Sequence, residues 1–303
     1  GLEEVARLEC DAVLAFADLA YDGAHLAAQS WTALIDEARA ERDRLRAEVD
    51  GHMQQVASTD LFGRVDLNYD SEGELKRALS RLVGRPVRDV NKQALRRLGH
   101  PVVEPLVRYR EMNKIVSSYG ESFLEYIHPR TGRIHADFRQ IGAPTGRVAC
   151  SRPNLQNIPR GSRFRQCFSA PDGRSMVTAD YSGCELRILA EMSADPAFVQ
   201  TFRRGGDLHA IVASEIFGRP VSKERNADLR DRAKAINFGL AYGMGAGGLA
   251  AVTGLGVEEA ERLLARYFRA YPAVKAYLDR SAAQALERGC VRTMAGRRLV
   301  LEV

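Results

Sequence analysis

The chain has 303 residues, 45% hydrophobic and 27% charged, which excludes intrinsic disorder and allows two or three packed subdomains. Lys and Arg number 44 against 39 Asp and Glu, a net charge of +5 that suits a polyanionic partner without requiring one. Five scattered cysteines, Cys10, Cys150, Cys167, Cys184 and Cys290, include no Cys-x-x-Cys pair, so a disulfide frame or thiolate zinc site is excluded and reduced thiols in a cytoplasmic protein are expected.

The first residues, Gly1-Leu2-Glu3-Glu4, are acidic where an export signal is basic. Residues 235–257 carry no charge but include Asn237 and seven glycines. That composition predicts a helix running into a glycine-rich loop, and no membrane partner.

Residues 1–128 read as almost wholly helical. Ile35, Ala38, Leu45 and Val49 recur at helical spacing, with Gly51 placed to end that helix. A second helix is predicted from about Ser71 through Leu75, Leu79 and Leu82 to Gly84. A third carries Leu106, Tyr109, Ile115 and Tyr119 after Pro101 and Pro105. From Ile127 the texture changes: residues 128–133 are turn-rich, and residues 133–140 alternate like a strand. Ser175-Met176-Val177-Thr178-Ala179 reads as a short buried strand leading into Asp180. From Leu186 the pattern is again helical, broken at Pro196, Gly205-Gly206, Pro220, the glycine loop and Pro272.

Three clusters carry chemistry. In Asp180-Tyr181-Ser182-Gly183-Cys184-Glu185-Leu186-Arg187, Ser182-x-x-Glu185 fits a helix capping box. Equally, a carboxylate at a strand end projects hard oxygen toward a divalent cation. On the next cluster, Arg230, Lys234, Phe238 and Tyr242 stand four residues apart, near one helical face. Two cations followed by two rings match the phosphates and the base of a nucleoside triphosphate; the bland alternative is a solvated helix with a packed aromatic edge. Asn237 and Gly239 within the stripe do not serve an ordinary core helix. The third cluster is Thr145-Gly146-Arg147 with Pro153-Asn154-Leu155-Gln156-Asn157-Ile158-Pro159, either a set of structural turns or groups that contact phosphate and base edges. Gly243-Met244-Gly245-Ala246-Gly247-Gly248 matches G-x-G-x-x-G but follows a helix, so dinucleotide binding is rejected.

In this order and spacing the clusters resemble the motifs of family A DNA polymerases, the bacterial DNA polymerase I family. Leu67-Asn68, Arg108-Tyr109-Arg110-x-x-x-Lys114, Tyr271-Pro272 and Gly296-Arg297-Arg298 extend the resemblance along almost the whole chain. It implies an α+β, mostly helical fold of right-hand polymerase architecture: a helical thumb over 1–128, a partial palm with the first catalytic carboxylate over 129–190, and helical fingers over 191–303. It implies template-directed DNA synthesis from primer-template DNA and deoxynucleoside triphosphates, using two Mg²⁺ ions. It implies these roles position by position: Asp180 would bind both ions with the Tyr181 carbonyl, and Glu185 would gate against a ribose 2′-hydroxyl. Arg230 and Lys234, the latter also catalytic, hold the triphosphate near His209, their charges facing phosphate and not a protein carboxylate. Phe238 packs on the incoming sugar and base, and Tyr242 occupies the templating-base position. Lys114, Arg147, Asn154, Gln156 and Asn157 contact primer-template.

Gly183 and Cys184 depart from the Gln and aliphatic residue common in the family, and the connection from Pro159 to Phe168 is short. The family's C-terminal His-Asp-Glu is not found, since none of the six histidines precedes an Asp. A further segment or separate polypeptide is therefore expected to complete the palm. The alternative from another class is a catalytically inactive remnant that grips primer-template DNA; a ribonucleotide polymerase is disfavoured by Glu185.

Overall fold

The computed structural model describes residues 2–62, 65–159, 162–171 and 173–301. Contacts divide the chain into two compact units, one of Ala6–Val177 and one running from Thr178 onward together with the first five residues. The described strands form three two-stranded antiparallel sheets amid helices, so the mostly helical α+β class holds. No described helix is long and apolar enough to cross a membrane.

The first unit contains α1 (Glu3–Asp22), β1 (Ala24–His25), α2 (Ala28–Met53), α3 (Glu72–Val83), α4 (Lys92–Arg96), α5 (Val103–Tyr119) and α6 (Glu121–Leu124). These are followed by β2 (Arg133–Ile134), β3 (Asp137–Arg139), β4 (Ala149–Ser151), a 3₁₀ turn (Leu155–Asn157) and α7 (Ser162–Gln166). The strand expected over 133–140 forms as two pieces, β2 pairing β1 and β3 pairing β4. Ser71 caps α3 by accepting from the Glu74 amide at 3.4 Å, and Gly84 closes it at φ 69°, as the pattern predicted. Gly51 does not end α2, which continues to Met53. A helical glycine costs about 1 kcal/mol relative to alanine, whereas burying Met53 to 0% exposure returns about 1.5–3 kcal/mol, so burial wins.

Two polar devices fix this unit. Arg46 pairs with Asp50 at 3.0 Å, lies 4.5 Å over the Tyr69 ring, and donates to the Val65 and Leu67 carbonyls. Tyr69 in turn donates to Asp50, so the segment entering α3 is tied to α2 by one guanidinium. The indole of Trp31, fully buried, donates to the Tyr119 carbonyl at 2.8 Å and stacks on Phe123, locking the end of α5 to the start of α2.

The second unit contains α8 (Cys184–Ser193), α9 (Pro196–Arg203), α10 (Leu208–Phe217), α11 (Ala227–Ala241), α12 (Ala246–Thr253), α13 (Val257–Ala270), α14 (Pro272–Arg288) and the hairpin β5 (Cys290–Arg292) with β6 (Arg298–Val300). The helices share a single core that includes Leu186, Phe198, Val212, Ile236, Leu249 and Tyr267.

Three expectations fail here. Residues 175–179 form no strand and are exposed, Val177 to 88%. No described strand pairs with them, and an apolar segment without a hydrogen-bonded neighbour has no ladder to hold it; Asp180 therefore does not sit at a strand end. Ser182 and Glu185 form no capping box. Gly183 takes the N-cap position of α8 at φ 62° without a side-chain cap, and the Ser182 carbonyl accepts from Arg187 Nε at 2.9 Å. The glycine loop is shorter than predicted, because Gly247 and Gly248 lie inside α12. A Cβ on Gly248 would meet Met244 Cγ at 2.8 Å, and one on Gly239 would meet Met244 Sδ at 2.7 Å. Both glycines thus make room for Met244 between α11 and α12.

Asp195 is 1% exposed. Its Oδ1 accepts from the Ala197 and Phe198 amides at 3.1 and 3.3 Å, and its Oδ2 from the Ala273 amide at 3.2 Å. One carboxylate therefore serves the N-termini of α9 and α14, each of which begins with proline. Losing a cap costs about 0.5–2 kcal/mol, so Asp195→Ala is expected to destabilise the chain by roughly 1–4 kcal/mol in urea unfolding, with Asp195→Asn less harmful. A loss in Asp195→Ala under about 0.5 kcal/mol would contradict the double cap.

Candidate functional site

The N-terminus of α10 faces α11. Asp207 caps α10 by accepting from the Ala210 amide at 3.2 Å through Oδ1, while its Oδ2 accepts from Arg230 Nε at 2.6 Å. Burial pushes the Asp207 carboxyl up, but the Arg230 hydrogen bond, the Ala210 amide and the charges of Arg230 and His209 outweigh it, and the net direction is down. Asp207, His209 and Arg230 line a cavity of about 200 Å³ together with Arg187, Phe202 and Lys223. The expectation that the Arg230 charge avoids protein carboxylates is thus corrected: capping places Asp207 within one hydrogen bond of it.

His209 is held from behind. Asn237, 0% exposed, brings its amide nitrogen within 3.1 Å of His209 Nδ1. With that amide donating, the ring is the neutral tautomer carrying its hydrogen on Nε2. Burial lowers the pKa of His209; Asp207 opposes the shift, and Arg230 and Lys234 add to it. Asn237 Oδ1 is buried with no hydrogen-bond partner among the described residues, a cost of about 1–3 kcal/mol that an apolar core residue would not carry. Phe238 is half-buried with its ring 5.7 Å from that of His209. Lys234 is exposed, with no ion pair to it among the described residues. Tyr242, at the C-cap of α11, is 63% exposed. Four of the predicted residues therefore gather on α10 and α11, and Tyr242 ends the same helix.

In the first unit, Lys114, Asn154 and Asn157 line a second cavity of about 590 Å³ with Tyr119, Tyr126 and Arg152. Asn154 caps the 3₁₀ turn by accepting from the Gln156 amide at 3.0 Å, and Gln156 donates to the Val148 carbonyl at 3.2 Å. The Asn157 carbonyl accepts from the Tyr119 hydroxyl. Arg147 is exposed in a turn where its carbonyl accepts from the Gly142 and Ala143 amides. Both readings of this cluster have structural content: the amides build the loop, and the loop lines a groove beside an exposed lysine.

Asp180, Tyr181 and Glu185 are exposed. The Asp180 carboxylate and Tyr181 carbonyl offer hard oxygens for Mg²⁺, but no group of three or more His, Cys, Asp or Glu among the described residues is arranged to hold a metal ion. These donors fit part of a two-ion site and do not complete it.

Residues 36–303 match the family described as DNA polymerase family A. The chain belongs to that family. It is 48% identical over 200 residues to DNA polymerase I of Pseudomonas aeruginosa, covering 65% of this chain and 22% of that protein. It is 38% identical over 276 residues to the thermostable DNA polymerase I of Thermus aquaticus, covering 88% of this chain and 32% of the relative. Among solved structures, the POL domain of Pol1 from M. smegmatis in complex with DNA primer-template and dNTP superposes with a TM-score of 0.81 at 31% identity, over 92% of this chain and 50% of that one. The chain thus spans a third or less of these curated relatives.

Within this family A chain, the motif reading missed Asp207, Arg187 and Lys223, which share the cavity with Arg230. Asp207 had a signal, an Asp immediately before an apolar helical run. Arg187 closes the first cluster without a role in that reading, and Lys223 had no signal, because it lies outside the four-residue spacing and reaches the cavity from the turn before α11.

Proposed function

We propose that the chain is the thumb, part of the palm and the fingers of a template-directed DNA polymerase, over residues 1–128, 129–190 and 191–303. The observation that carries this reading is the face of α10 and α11 on which Arg230 and Phe238 lie beside His209 and the Lys234 charge acts on the same ring. Cationic groups suit the triphosphate, the neutral His209 offers an Nε2–H donor, and Phe238 offers an apolar face for sugar and base. Tyr242 takes the templating-base position, and Glu185 discriminates against a 2′-hydroxyl. Lys114, Arg147, Asn154, Gln156 and Asn157 lie along the primer-template. The dNTP and primer-template in the M. smegmatis relative support both assignments.

In the reaction, the primer 3′-hydroxyl attacks the α-phosphate of a deoxynucleoside triphosphate and pyrophosphate leaves. Arg230 and Lys234 draw charge from the leaving phosphates, which is where Lys234 contributes to catalysis. Two bound Mg²⁺ ions would stabilise the attacking and leaving oxygens; Asp180 and the Tyr181 carbonyl are the donors of this chain that would hold them. The alternative, a remnant that grips primer-template without chemistry, is separated from this reading by activity.

Binding tests the reading. The affinity of the chain for primer-template should fall steeply with salt as phosphate contacts release counterions. Lys114→Ala should reduce the slope of log K against log salt by about one unit and weaken all sequences alike, at unchanged melting temperature, since no ion pair to Lys114 lies among the described residues. Salt-insensitive binding, or strong preference for one sequence, would refute the assignment. Metal-dependent primer extension by the purified chain would eliminate the remnant reading.

A further inference from the structure

We infer that Asp207 is a positioning residue that holds the Arg230 guanidinium in place and is displaced from it when a triphosphate binds. The inference rests on the nucleotide site proposed above.

The two oxygens of Asp207 do different work. Oδ1 is committed to the α10 amide of Ala210, and Oδ2 to Arg230 Nε at 2.6 Å. The hydrogen bond of Arg230 to this carboxylate is made through Nε; its Nη1 is 3.7 Å from Asp231, too long for a hydrogen bond. The side chains are 21% and 27% exposed, which makes the pair stronger than a solvent-exposed one. A long side chain is thereby fixed on the cavity wall before any ligand arrives, which reduces the ordering cost of binding.

The same carboxylate opposes the ligand. Among the charged side chains lining the cavity, Arg187, Lys223 and Arg230 are positive and Asp207 is negative. A polyphosphate entering there meets a carboxylate and must compete with it for Arg230. Asp207 therefore trades affinity for orientation. Of the groups facing the pair from neighbouring elements, His209 on α10 is neutral at neutral pH and adds no charge to that balance, whereas Lys234 on α11 is positive and adds to the attraction for phosphate.

Capping and charge are separable, since Asn caps a helix about as well as Asp. Asp207→Asn keeps an oxygen for the Ala210 amide and removes the negative charge. The test is calorimetric binding of inorganic tripolyphosphate and of dATP, each with Mg²⁺, to the full chain and to Asp207→Asn, Asp207→Ala and Lys234→Ala, alongside melting temperatures. Asp207→Asn is expected to bind both ligands about five- to tenfold more tightly with a nearly unchanged melting temperature. Asp207→Ala should also bind more tightly but melt lower, having lost the cap. A merely structural Asp207 predicts affinity that is unchanged or lower in the Asn variant, and that result would overturn the inference. Lys234→Ala reports on the site itself: about a tenfold loss of affinity supports it, whereas an unchanged affinity would remove the proposed nucleotide site and the inference together.

Discussion

The chemistry available to this chain depends on how α10 lies against α11. Both helices bury small residues at 0% exposure, Ala213 on α10 and Ala233 on α11, which lets neighbouring backbones approach closely. That approach brings the first turn of α10 to the cationic end of α11, so that Asp207 reaches Arg230 and His209 reaches Asn237. Neither helix alone carries a site. Residues 207 and 209 are separated from 230 and 237 by an entire turn region, and packing of the common core makes them neighbours.

Within this arrangement, polar groups are placed where burial alone would not put them. Asn237 is fully buried and leaves one oxygen without a partner, and Asp207 is mostly buried beside Arg230. Such features lower stability unless another demand retains them. Asp195 is the contrasting case: 1% exposed, it accepts from three backbone amides and caps two helices. The difference separates a carboxylate given wholly to helix caps from one shared between a cap and the Arg230 guanidinium.

Much of this was legible in the sequence. The four-residue spacing of Arg230, Lys234, Phe238 and Tyr242 gave the helix and the stripe proposed here to face a ligand, because helical periodicity is local. Ser71 and Gly84 gave the bounds of α3 because caps are local too. What was illegible required distant neighbours. Gly51 reads as a stop until Met53 is known to be buried, and residues 175–179 read as a buried strand although no described strand pairs with them. Gly239 looks out of place in a core helix, and Gly248 reads as loop, until Met244 is seen between their helices. For Asn154 and Gln156 the sequence left turn and contact readings open; both amides build the loop, and Asn154 also lines its groove.

The central claim, that the α10–α11 face is a triphosphate site, is tested most directly by amide hydrogen exchange on the chain with and without saturating dATP and Mg²⁺. Ligand that seats on Arg230, Lys234 and His209 should slow exchange of amides at 205–211 and 230–242 selectively, with α13 and the first unit unaffected. Unchanged exchange at those positions under saturation, or protection confined to other helices, would contradict the account.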